Sequence, residues 1–225
     1  VGGGDRGVES RVTTGVTEQP EIVDATGREG RWRILAAALA VQTTVSMVTQ
    51  SFPVLAPFAR EGLRLTTPEV GVFATVLSVG TMLALLPTGW AVDRLGERWV
   101  LVGGGIATGV MAVVVAGAPG FVSVVPLLIV LGVAAASPTP AGGTAIISAF
   151  AVRDRGFVMS IRQTGVPLGG ALAALLLPPI AEGLGWRWAL EVSAGLAIGG
   201  APLGAALMRR GRTPPAPPRG CPSRE

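Results

Sequence analysis

Three stretches of this sequence, Ile34–Ala59, Val70–Val92 and Trp99–Val152, contain no Asp, Glu, Lys or Arg. A helix needs about 20 apolar residues to cross a hydrocarbon core about 30 Å thick. Each stretch reaches that length, and the third is long enough to cross twice. Only 14% of the 225 residues are charged, against about 25% in an ordinary soluble domain. A soluble globular fold is excluded. The expected class is an all-α integral membrane protein, because isolated helices satisfy their own backbone in lipid.

Composition removes several chemistries. There is no His, so Ser-His hydrolysis and His-ligated metal or haem sites are not available. The single cysteine, Cys221, forms neither an internal disulfide nor a thiolate cluster. Every one of the 18 basic residues is Arg, which excludes lysine Schiff-base chemistry. No catalytic residue, metal or cofactor is expected. A pI near 11.1 would point to nucleic acid in a soluble protein. Here the arginines flank apolar segments, so the expected surroundings are membrane lipid and not nucleic acid.

Residues 1–32 read as a disordered cytoplasmic tail, and 209–225 as an Arg- and Pro-rich one. Between them the pattern predicts six spans, at about 34–58, 69–92, 99–117, 121–150, 157–181 and 187–208. Thr66-Thr67-Pro68-Glu69 carries the signature of a helix start. The fourth span holds Pro126, Pro138 and Pro140 and exceeds what a bilayer needs, which predicts a tilted or broken helix. With the amino terminus inside, ten arginines lie in the two terminal segments. Arg94, Arg98, Arg153 and Arg155 lie in the two inner turns, against Arg60, Arg64 and Arg187 outside. That distribution follows the positive-inside rule, and Trp32, Trp90 and Trp99 at one interface and Trp186 and Trp188 at the other agree with it. Both termini are expected in the cytoplasm, with the chain in the cytoplasmic membrane.

The turn between spans two and three reads Gly89-Trp90-Ala91-Val92-Asp93-Arg94-Leu95-Gly96-Glu97-Arg98. Gly89 lets a neighbouring helix approach closely, and Gly96 permits the left-handed backbone of a tight reversal. Asp93 opposes its own helix dipole and needs a cationic or helix-N-terminal partner. Gly89, Asp93, Arg94, Gly96 and Arg98 together resemble the G-x-x-x-D-R-x-G-x-R signature of the major facilitator superfamily, which falls between that family's second and third spans. Ser51-Phe52-Pro53-Val54-Leu55, Ser137-Pro138 and Arg155-Gly156 are similar to the family as well. The resemblance runs from about Arg33 to Met208 and matches one six-helix half of a twelve-helix transporter. It implies secondary transport of a small solute by alternating access, with the site at the midplane between halves. The second half would be lost, encoded separately or supplied by self-association. The resemblance makes Asp93 a conformational latch toward a helix of that half.

Gln42, Thr43, Thr44, Ser46, Thr49, Gln50 and Ser51 give span one an unusual polar density. Gln42, Ser46, Thr49 and Pro53 share a face, which either lines an aqueous cavity or joins helices through hydrogen bonds. The family's placement of span one beside the cavity favours the first, with Gln42, Ser46 and Gln50 as pathway candidates. Arg162, followed by Gln163, is the one charge well inside a span, about 10 Å along the helix from Arg155. Either it serves function and suits an anionic solute, or it snorkels to the inner interface. Gly165 and Gly169 make a GxxxG packing face, and Pro167 frees a carbonyl and bends the helix. With Gly170 they resemble the family's antiporter motif G-P-x-x-G-G, with the proline displaced by one residue. Leu128 stands where proton-linked exporters carry Arg, and no carboxylate lies near mid-span. Glu191 reads as the i,i+4 partner of Arg187. The rival class is a structural or regulatory six-span protein that moves nothing.

Overall fold

The computed structural model describes residues 28–211, which form eight helices and, among those residues, no strand. They are α1 (Arg28–Leu63), α2 (Thr67–Leu95), α3 (Glu97–Ala116), α4 (Phe121–Ala135), α5 (Pro138–Ala149), α6 (Val152–Gln163), α7 (Gly165–Leu184) and α8 (Trp186–Gly211). Two interruptions, at residues 136–137 and at Thr164, separate α4 from α5 and α6 from α7. Joined across them, the helices make six segments long and apolar enough to cross a membrane. The chain is a multi-pass membrane protein.

The interruptions have local causes. Pro138 and Pro140 lack the N–H groups that would bond the carbonyls of Ala134 and Ala136, and the ladder tightens there to i,i+3 bonds such as Ser137 N–H to the Ala134 carbonyl at 3.4 Å. Pro167 cannot donate to the Gln163 carbonyl, and α6 ends at that residue. Pro53, Pro57, Pro87, Pro178, Pro179 and Pro202 lie inside unbroken helices.

Several expected boundaries move. Helix α1 starts at Arg28, so residues 28–32 belong to it and not to a disordered tail. Arg153, Asp154 and Arg155, expected as a loop, form the first turn of α6, and Arg209–Gly211 extend α8. Residues 1–27 and 212–225 of the two expected tails lie outside the described residues.

Helix α1 is the central post and packs against all seven others. Its most apolar window is 67% buried, against 22–39% for the other spans. Lipid tails give apolar helices no hydrophobic reason to associate, so close backbone approach at small residues must hold such a bundle. Gly80 of α2 and Gly132 of α4 face each other, and the Thr81 hydroxyl donates to the Gly132 carbonyl at 3.2 Å. A Cβ at Gly109 of α3 would stand 2.7 Å from the Ala194 carbonyl of α8, and one at Gly204 of α8 would stand 2.7 Å from Val41 of α1. Larger apolar side chains fill the space at either end of these contacts. Leu55, Phe73, Val115, Val124 and Leu190 cluster toward the end that bears Trp186. Ile34, Val41, Val92, Leu101 and Met208 cluster toward the end that bears Arg94.

Candidate functional site

Arg162 stands at the last turn of α6, two residues before the Thr164 interruption. It does not snorkel. The residue is 3% exposed, and its guanidinium turns inward toward α1 and α5. Nη2 donates to Gln42 Oε1 at 3.0 Å, to the Pro138 carbonyl at 2.7 Å and to the Thr139 carbonyl at 3.3 Å. Nη1 reaches only the Met159 sulfur, at 3.5 Å, and Nε is buried without a hydrogen-bond partner. All of these acceptors are neutral. A guanidinium inside a membrane span, with no carboxylate beside it among the described residues, is a buried charge they leave uncompensated.

Three features of the fold make this placement possible. Pro138 and Thr139 open α5 immediately after the break in the fourth span, and their carbonyls face Arg162. A Cβ at Gly142 would stand 2.6 Å from Nε and 3.2 Å from Cζ, so glycine there lets the guanidinium lie flat on α5. Gln42 crosses from α1, and its Nε2 donates to Ser46 Oγ at 3.3 Å. Its Oε1 faces Arg162.

The other expected pathway residues separate. Gln42 and Ser46 are 7% and 5% exposed and lie between helices among the described residues. Thr43 and Ser51 return their hydroxyls to the Leu39 and Val48 carbonyls of their own helix. Gln50 and Gln163 are exposed, and neither reaches Arg162. A Cβ at Gly170 would lie 3.3 Å from Gln50 Nε2. Gly165 and Gly169 pack α7 onto α1: a Cβ at Gly169 would stand 2.5 Å from the Thr43 carbonyl oxygen and 2.7 Å from Met47 N. Pro167 is exposed beside the interruption it causes.

At the α2–α3 turn, Gly96 adopts φ 84° and ψ 149°, a region that side chains avoid, and its N–H closes α2 on the Val92 carbonyl at 2.9 Å. Asp93 and Arg94 are exposed, and the Arg94 guanidinium lies 4.2 Å over the Trp90 ring. Arg98 turns inward, lining with Ile34, Glu97 and Met208 a cavity of about 130 Å³. The close helix neighbour expected at Gly89 is not supplied by the described residues, since nothing lies within 4 Å of a Cβ built there.

Two arginines close helix ends, and for Arg187 this departs from expectation. Arg187 does not pair with Glu191. It donates instead to the Ala116 carbonyl and, at 3.0 Å, to that of Ala118, closing the carbonyl-rich end of α3. Arg155 does the same for α5, reaching the Phe150 and Ile147 carbonyls at 3.0 and 2.9 Å. Sequence reasoning missed Gly142, Pro138 and Thr139 as the wall behind Arg162. The available signal was the proline break itself, which marks where backbone carbonyls turn to side-chain donors.

Comparison with known proteins agrees with this architecture. The profile described as Major Facilitator Superfamily matches residues 34–224. An uncharacterized MFS-type transporter of Mycobacterium tuberculosis is 30% identical over 71% of this chain and 36% of its own length. A probable sulfoacetate transporter of Cupriavidus necator is 29% identical over 65% and 34%, and a hexuronate transporter of Bacillus subtilis 26% over 60% and 32%. The chain thus spans about a third of the length of these relatives. A crystal structure of a bacterial homolog of the human lysosomal transporter Spinster, inward-facing and unoccupied, superposes with a TM-score of 0.69 at 17% identity. It covers 87% of this chain and 47% of its own, and shows the same fold. The chain belongs to the Major Facilitator Superfamily.

Proposed function

We propose that the protein contributes to secondary transport of a small organic anion across the cytoplasmic membrane, with Arg162 as the contact for its carboxylate. The observation that carries this reading is the guanidinium itself, 3% exposed inside a span and bonded only to neutral acceptors. Such a charge is stabilised by a mobile counter-ion more readily than by anything among the described residues. Planar bidentate donors suit carboxylates and sulfonates in particular. The relatives named for sulfoacetate and hexuronate, both anions, support the same class.

The arginine distribution supports an orientation with the Arg94 end in the cytoplasm. Alternating access requires a second six-helix body facing this one. Asp93, exposed and with no ion-pair partner among the described residues, suits the latch that the family signature implies toward that body. The Thr164 and 136–137 interruptions flank Arg162 and suit hinges through which the site opens.

The test is uptake of radiolabelled sulfoacetate and D-glucuronate by cells expressing the protein from its own gene, with D-glucose as a neutral control. Saturable uptake of an anion that Arg162→Gln abolishes, at unchanged protein level in the membrane, supports the reading. Uptake no higher than in the deletion strain refutes it and favours a structural or regulatory six-span protein.

A further inference from the structure

We propose that Gln42 is a positioning residue that holds Arg162 in reserve and thereby sets the affinity of the anion site. The inference rests on the organic-anion reading above. Its geometric basis is a surplus of acceptors at one nitrogen. Nη2 has two protons and faces three oxygens, Gln42 Oε1, the Pro138 carbonyl and the Thr139 carbonyl. Nη1 meets only sulfur and Nε meets nothing. Gln42 is therefore not needed to satisfy the nitrogen that it contacts. It competes for that nitrogen with any carboxylate that arrives.

The competition is built, because the donor-only guanidinium fixes the carbonyl side of the amide toward itself, and the amide nitrogen is held by donating to Ser46 Oγ at 3.3 Å. A flipped amide would set two N–H groups against a guanidinium. The backing is equally specific, since only glycine at position 142 lets the guanidinium rest on α5. Arg162 is consequently stored out of solvent on three neutral oxygens, and a solute carboxylate takes it over by displacing the Gln42 oxygen.

This predicts effects of opposite sign at one position. Gln42→Leu removes the competitor while both Nη2 protons keep a backbone carbonyl, so KM for D-glucuronate or sulfoacetate uptake falls by roughly tenfold, about 1.4 kcal/mol, with the maximal rate within about twofold. Gln42→Glu puts a permanent carboxylate at the same nitrogen, and KM rises by about a hundredfold or uptake is lost. Gln42→Asn withdraws the oxygen by one methylene while keeping an amide, and should follow the leucine variant if that variant fails to reach the membrane. All are compared at matched protein level.

A rise in KM for the leucine or asparagine variant overturns the inference, because it makes Gln42 a solute contact or a strut. So does an unchanged KM in the glutamate variant. Absence of anion uptake by the wild type is a separate outcome, visible before any variant is made, and it fails the organic-anion reading together with this inference.

Discussion

Replacing Gly169 by Ala tests whether close backbone approach holds α7 to α1. A Cβ there would meet the Thr43 carbonyl oxygen at 2.5 Å, Met47 N at 2.7 Å and Ser46 Cβ at 2.7 Å. Two of these three atoms are backbone, which no rotamer change can move. Ordinary contact for a Cβ begins at 3.4 Å, so α7 must retreat from α1 by nearly 1 Å. Overpacking of this kind costs about 1–3 kcal/mol. Glycine to alanine within a helix also gains about 1 kcal/mol in propensity, which would mask part of the loss. Gly195→Ala removes that ambiguity, since Gly195 is helical, exposed and has nothing within 4 Å of its Cβ. The propensity gain is common to both variants, so their difference isolates the packing term. Thermal unfolding of the purified protein in mild detergent should rank Gly195→Ala above Gly169→Ala by about 1–3 kcal/mol. Equal stabilities of the two variants would refute the claim that glycine spacing holds this interface.

Further substitutions probe other contacts. Gly96→Ala and Gly185→Ala place a side chain at φ 84° and 95° and should each lower stability by about 1–3 kcal/mol, read in the same unfolding assay. Arg187→Ala removes two bonds from a charged donor to the Ala116 and Ala118 carbonyls and should cost about 1.5–3 kcal/mol. Glu191→Gln should leave stability unchanged, because Glu191 is not the partner of Arg187. Gly142→Ala pushes the Arg162 guanidinium off α5 and should impair anion uptake at a preserved level of protein in the membrane, with neutral-sugar background unaffected.

The spans were legible in the sequence because the lipid interior imposes one rule, the near absence of charge over about 20 residues. The breaks were partly legible. Pro138 and Pro140 announce an interruption because they fall in a span longer than a bilayer needs, and the fourth span does break there. Pro167 also interrupts, while Pro178-Pro179 does not. The residue type is the same in each case, so which proline breaks its helix is not written in the local sequence. The Arg28 start of α1 was hidden for a related reason. Arg28, Arg31 and Arg33 interrupt the apolar pattern, yet arginine is a good helix former, and Arg33 gains an i,i+4 ion pair with Glu29 at 3.5 Å.

The arginines show best where sequence reasoning stops. Their number and placement are visible, but a guanidinium has several ways to be satisfied, and only the fold selects one. Arg187 has Glu191 four residues on, the spacing at which side chains meet on a helix, yet it prefers the two carbonyls left at the end of α3. Those carbonyls form a fixed acceptor pair that a flexible, half-exposed Glu cannot match. Arg162 follows the same preference in the interior. It could extend toward the interface, but the opened backbone of α5 offers two carbonyls at close range and Gly142 leaves room beside them. The 120-residue separation of Gln42 and Arg162 put that contact beyond any pattern in a single sequence. In both cases helix ends and helix breaks, not opposite charges, decide where the cation rests.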